Sequence, residues 1–212
     1  MATKYEWYNP STDNNYFLDT TYLIGQTFTI GTTGTNENFN LSSIKLRLFR
    51  LGSPGTLTFA IRAVDGSGLP TGSDLSTGTT NGNTLSDNIE TADLREITMS
   101  SYTLQASTKY AIIAKAQTLN FDVDMGFWLA LTTSPSYTGG AYVFYESNWD
   151  QDTEIDFEFE VWGGTGAAGT NIIINVGDTW RNVDKAYVNV SDTWREVTNA
   201  YMNVSDAWKT IF

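Results

Sequence analysis

From about residue 17 to residue 162 the chain is a series of runs in which apolar and polar side chains alternate with a period of two. In "SSIKLRLFRL" (42–51), Ile44, Leu46 and Leu48 take one side while Lys45 and Arg47 take the other. In "EIDFEFEVW" (154–162), Ile155, Phe157, Phe159 and Val161 are set to point inward, and Asp156, Glu158 and Glu160 outward into water. Such alternation predicts antiparallel strands with one buried face. Further strands are expected at 25–30, 56–64, 94–99, 108–116, 126–133 and 141–146. About eight strands joined by turn-rich segments predict an all-β, two-sheet sandwich. The Gly-, Thr-, Asn- and Ser-rich stretch 65–93 reads as a long loop with room for one short strand.

The pattern changes at "GGTGAAGT" (163–170), which carries no charge and reads as a flexible linker. The expected organisation is a sandwich at 1–163, a Gly-rich linker at 164–170 and a β-repeat at 171–212. In that last part "NVGDTW", "NVSDTW" and "NVSDAW" follow one another at fourteen-residue spacing, with Trp180, Trp194 and Trp208 in register and Tyr187 repeated as Tyr201. Fourteen divides into two five-residue strands and two two-residue turns, which predicts a small six-stranded β-meander. In that register Asn175, Trp180, Asn189, Trp194, Asn203 and Trp208 form one cross-strand row. Val188 and Val190 fall on the opposite, aliphatic face. Forty-two residues are too few for an independent core, so the face is expected to close on the sandwich, on copies of the chain or on another protein. A self-stacking fibre, one coil per repeat, is the alternative.

Composition narrows the chemistry. The 212 residues include no Cys and no His, which removes disulfides, thiolate nucleophiles, imidazole bases and the commonest transition-metal ligands. A net charge of −12 repels phosphate backbones and anionic membranes, so neither nucleic acid nor membrane is expected as a partner. No apolar run is long enough to span a bilayer as a helix, and "MATKYEWYNP" shows no signal-peptide pattern. Most of the negative charge belongs to the sandwich region, because residues 171–212 carry four basic and five acidic side chains.

Three candidate sites remain. Asp150, Asp152 and Glu154 supply the hard oxygen ligands that suit calcium, without the spacing of an EF-hand loop, and a solvated face is the plainer reading. Tyr137, Tyr145 and Trp149 could line a glycan groove, although alternation must send half of such rings into the core. Trp180, Trp194, Trp208, Tyr187 and Tyr201, with Val188 and Val190, are the candidate assembly surface, since Trp and Tyr are enriched where proteins meet. No carboxylate pair brackets a recognisable cleft, so no catalytic residue, cofactor or metal is assigned and an enzyme is not expected.

The stretches "GQTFTI" (25–30), "FRLGSPGTLTFAIRAVDGSGLPTGSDLSTGTTNGNTL" (49–85) and "YTLQASTKYAII" (102–113) resemble a jelly-roll module of phage tail, fibre and other virion proteins and of microbial surface proteins. That module is similar in outline to carbohydrate-binding β-sandwiches. The resemblance covers roughly residues 20–162, and its motifs, such as Gly68, Pro70 and Gly72, are loop-forming. The tandem "YVNVSDTWREV" unit is similar to those at the ends of phage structural proteins. The resemblance implies a jelly-roll sandwich and a non-enzymatic virion protein (a capsid decoration, fibre or tail appendage) partnered by other virion proteins or by its own copies. The alternative it allows is a secreted carbohydrate-binding module or adhesin at a cell surface, with a glycan as ligand.

Overall fold

The computed structural model describes residues 2–18, 23–116 and 123–164. Beyond these it describes the backbone of 173–176, 179–182, 187–190, 193–196, 201–204 and 207–210; side chains are described up to Gly164, Ala116 excepted. The chain divides into two units, Met1–Gly164 and Thr165–Phe212.

In chain order the first unit contains β1 (Thr3–Tyr8), β2 (Asn14–Leu18), β3 (Leu23–Thr29), β4 (Phe39–Leu51), β5 (Thr56–Val64), β6 (Pro70–Asn81) and β7 (Asp93–Thr98). There follow β8 (Thr103–Leu104), β9 (Lys109–Ala116), β10 (Met125–Leu131), β11 (Tyr142–Tyr145), β12 (Trp149–Asp152), β13 (Asp156–Phe157) and β14 (Phe159–Gly164). These strands make two antiparallel sheets that pack as a sandwich. One runs β12-β11-β3-β9-β5-β6. The other runs β1-β14-β4-β10-β13, with β2 joined to β10 and β7 and β8 joined to β4.

The core lies between the sheets and is filled by the alternating positions of both. Ile44, Leu46 and Leu48 of β4 are fully buried, as are Leu57, Phe59 and Ile61 of β5. Trp128 sits among them with no exposed surface. Its ring stacks on Phe157 at 4.3 Å and meets the edge of Phe59 at 6.5 Å. The indole N–H, which would be costly to bury unpaired, donates to the Glu158 carbonyl at 2.9 Å. A second, smaller apolar cluster of Ala60, Ala111, Ile113 and Val143 covers the other face of the six-stranded sheet, with Trp149 packed against it.

The first unit departs from the sequence pattern in several places. Segment 65–93 holds a twelve-residue strand, β6, rather than only a short one; small polar side chains suffice there because β6 is an edge strand paired only with β5. Two strands, β1 and β2, begin before residue 17. The run 154–162 is interrupted at Glu158 into β13 and β14. Asp156, Glu158 and Glu160, expected in water, are 3%, 3% and 6% exposed. Most of their partners are distant in sequence: Arg47 and Asn9 reach Glu158, Lys4 and Asn9 reach Glu160, and Gln26 reaches Asp156, while Trp162 reaches Glu160 from the same strand.

In the second unit, β15 (Ile173–Val176) pairs with β16 (Thr179–Asn182), β17 (Tyr187–Val190) with β18 (Thr193–Glu196), and β19 (Tyr201–Val204) with β20 (Ala207–Thr210). The registers match: Asn175 opposes Trp180, Asn189 opposes Trp194 and Asn203 opposes Trp208. Among the described residues the pairing stays within each hairpin, so the expected six-stranded meander is replaced by three two-stranded sheets. Two residues separate the strands of a hairpin, which holds them in direct opposition. Four residues, 183–186 and 197–200, separate one hairpin from the next, and they lie outside the described residues.

Candidate functional site

Where the two sheets meet beside β2, β3 and β11, the sandwich opens into a groove of about 240 Å³ lined by Tyr16, Phe17, Ile24, Tyr142, Phe144, Tyr145 and Glu146. Its rings are positioned by strand alternation. Tyr142 and Phe144 are two residues apart on β11 and share a face, stacked at 5.4 Å with an interplanar angle of 25°. Tyr16 on β2 meets Tyr142 at 5.3 Å and 38°, and is braced from behind by the edge of Phe157 at 5.4 Å. At the rim Tyr145 lies opposite Trp149 in the β11–β12 pair, with ring centroids 5.3 Å apart and tilted by 59°.

The groove is acidic as well as aromatic. Burial, followed by Tyr16 and the carboxylates of Asp152 and Glu146, pushes the Tyr142 hydroxyl up to about 12. Burial and the charges of Asp152 and Asp13 raise that of Tyr16. Both phenols therefore stay protonated in any ordinary medium, and the surrounding field favours positive charge.

The sequence-proposed glycan strip does not form. Tyr145 and Trp149 meet, but Tyr137 is 6% exposed and belongs to the core. Its hydroxyl donates to Glu6 Oε1 at 3.1 Å and accepts from the Thr29 N–H at 3.2 Å, and its ring meets the Phe159 edge at 5.3 Å. Burial and the Glu6 charge hold this phenol neutral, far above the usual tyrosine range. A bulky polar ring in a Gly-rich turn reads as surface in a sequence; here "TGG" folds back so that Gly140 lies against β3, where an added Cβ would stand 1.8 Å from the Thr27 carbonyl oxygen.

The calcium candidates are spread along β12 and the turn after it. Asp150 and Asp152 oppose Phe144 and Tyr142. The Asp150 carboxylate accepts from the Gln151 N–H, and that of Asp152 from the Glu154 N–H, each at 2.8 Å. Among the described residues no group of three or more His, Cys, Asp or Glu side chains is gathered so as to hold a metal ion. For Trp180, Tyr187, Val188, Val190, Trp194, Tyr201 and Trp208 the backbone places each in a hairpin strand, and their side chains lie outside the described residues.

Two polar sites escape sequence reading. Glu6 is fully buried, and its carboxylate accepts the N–H groups of Gly31, Thr32 and Thr33 at 2.9, 3.0 and 2.9 Å, so it fills an anion-binding nest made by its own chain. A second groove of about 320 Å³ beside Asp13, Arg47 and Glu90 is polar. Its strongest groups are already engaged: Arg47 by Glu158 and the Ala92 carbonyl, Asp13 by Thr132 and Thr133, whose hydrogen bonds hold its carboxyl below the usual range. The aromatic groove differs in carrying an exposed carboxylate, that of Glu146, beside its rings. What could have revealed it in the sequence is the run "AYVFYESNW", with rings on both faces of one short strand.

No protein-family model and no curated protein sequence matches the chain. Among solved structures it is similar to the crystal structure of the cysteine protease and lectin-like domains of Cwp84, a surface layer associated protein of Clostridium difficile. The two share 12% identity at a TM-score of 0.41, over 74% of this chain and 37% of that one, so the chain spans little more than a third of the length of that neighbour.

Proposed function

We propose that the protein is a non-enzymatic structural component of a virion, a capsid decoration, fibre or tail appendage, that assembles through its C-terminal hairpins. The observation that carries this reading is the threefold recurrence of one hairpin register, Asn opposite Trp, at Asn175/Trp180, Asn189/Trp194 and Asn203/Trp208. An isolated two-stranded hairpin is marginal in water and needs further strands or a packed face to persist. Three hairpins of eight strand residues each therefore call for a partner, either copies of the chain or neighbouring virion proteins. Val188 and Val190 share one face of β17, opposite Arg195 and Thr193, and an aliphatic face of this kind is costly to leave in water. The likeness of the sandwich and of the tandem unit to phage structural modules supports the virion setting.

The test is the mass of the full chain in solution by light scattering, beside a chain ending at Gly164 and a Val188→Asp/Val190→Asp double variant. The full chain should be oligomeric, or join virions when co-expressed with them, and both altered chains should lose this while keeping the sandwich folded. Normal assembly of the double variant would refute the reading.

A further inference from the structure

We propose that the groove between β2, β3 and β11 binds a small organic cation, an alkylated ammonium headgroup, against the faces of Tyr16, Tyr142, Phe144 and Tyr145 with Glu146 at its rim. This inference is independent of the assembly reading.

The charge of the groove suits a cation. The lining described here contains one charged side chain, and it is the carboxylate of Glu146. Asp152 stands opposite Tyr142 across the β11–β12 pair, and no Lys or Arg is in the described lining. An anion or a phosphate would find only repulsion there. A cation gains from the carboxylates and from the negative faces of the rings.

The shape of the groove suits a rounded headgroup. The Tyr142 ring is inclined to that of Tyr16 by 38° and to that of Phe144 by 25°, so the rings do not form a flat strip. A pyranose stacks best on a flat aromatic face and needs converging hydrogen-bond partners for its hydroxyls. A rounded alkylammonium has no such requirement and can use several inclined faces at once, the arrangement of an aromatic cage. Size agrees: drug-sized ligands occupy roughly 300–1,000 Å³, and this groove offers about 240 Å³, room for a headgroup rather than an oligomer.

The rings are also pre-set. Tyr142 is 9% exposed and Tyr16 is wedged between Tyr142 and Phe157, so little ordering remains to be done on binding. Elsewhere the chain already uses ammonium–aromatic contacts, with Lys4 over Trp7 at 4.6 Å and Lys45 over Trp162 at 4.5 Å. Both lie on the outer side of the other sheet, away from this groove.

The experiment is a calorimetric titration of the full chain with choline. Its neutral carbon isostere 3,3-dimethylbutanol, methyl glucoside and methyl phosphate serve as comparisons. Choline should bind saturably, and the isostere about tenfold or more weakly, because only the charge differs. Tyr145→Leu, at a half-buried rim position outside the core clusters, should weaken choline by a similar factor at an unchanged melting temperature. Glu146→Gln should weaken choline and leave the isostere unaffected. Equal binding of choline and the isostere would overturn the proposal, since the groove would then be merely apolar. So would tighter binding of methyl glucoside or methyl phosphate, or no saturable binding of choline at tens of millimolar.

Discussion

The guanidinium of Arg47 grips the carboxylate of Glu158 at two points, Nε to Oε2 at 2.6 Å and Nη2 to Oε1 at 3.0 Å, on a sheet face that the sequence pattern assigns to water. The Glu158 side chain is 4% exposed and that of Arg47 34%, so the carboxylate is the partner that cannot return to solvent. The pair also raises the already high affinity of Arg47 for its proton. Removing one member of a buried pair costs about 3–5 kcal/mol, and the partial exposure of Arg47 moves the expectation to or below the bottom of that range. Arg47→Met should therefore lower the unfolding free energy of the sandwich by about 2–3 kcal/mol in urea. Arg47→Met combined with Glu158→Leu should recover most of the loss. If the single variant is neutral, the pair contributes nothing to stability.

Asp156 should give the sandwich a pH-dependent stability. Burial, opposed by hydrogen bonds from Gln26 Nε2 and the Tyr137 N–H, raises its carboxyl from 3.8 to about 6. Between those values the folded state keeps a proton that the unfolded chain has released, so this contribution is complete below about pH 3.8 and is lost as pH rises through about 6. Two pKa units correspond to roughly 3 kcal/mol. The difference in unfolding free energy between wild type and Asp156→Asn, measured in urea across that interval, should narrow or reverse by an amount of this order. A constant difference would mean that Asp156 titrates alike in both states.

These two sites mark what the sequence could and could not disclose. Ile44, Leu46 and Leu48, and likewise Phe157, Phe159 and Val161, are buried as their alternation requires, because a strand sends every second side chain to the core whatever its neighbours are. The same rule sends Glu158 and Glu160 to the opposite face, but it says nothing about what covers that face. The covering groups are Arg47, 111 residues away, and Lys4, 156 residues away. β6 is illegible for another reason: "PTGSDLSTGTTN" lacks an apolar stripe, and its strand form is imposed by the β5 ladder. The aromatic groove was half visible, since Tyr145 was among the candidates, whereas Tyr16 and Tyr142 come together only through the packing of the two sheets.

Glu6 should be indispensable to the loop it enters. Its two oxygens satisfy the N–H groups of Gly31, Thr32 and Thr33, and Gly31 holds a φ of +88° that suits glycine. Glu6→Gln keeps the size but turns one acceptor into a donor facing other donors, at about 1–3 kcal/mol. Hydrogen exchange should show the amides of residues 31–33 losing protection before those of β5 and β9. Unchanged protection there would mean that the amide fills the nest as well as the carboxylate does.

The pairing of β1 with β14 has a mechanical consequence. Thr3 lies against Gly163 and Tyr8 against Phe159, so a pull applied between Thr3 and Gly164 acts at right angles to both strands, along the ladder's hydrogen bonds rather than across them. The rungs are then loaded one after another, as in a zip. Lys4, one rung in from the opening end, reaches Glu160 further along the ladder, and the first firm stop is Glu6, which must leave its nest before β1 can peel further. Tension transmitted through Gly164 while Thr3 is held would open the sandwich from this corner at low force. The same tension resisted at Tyr8 would shear the whole ladder at once and meet far greater resistance.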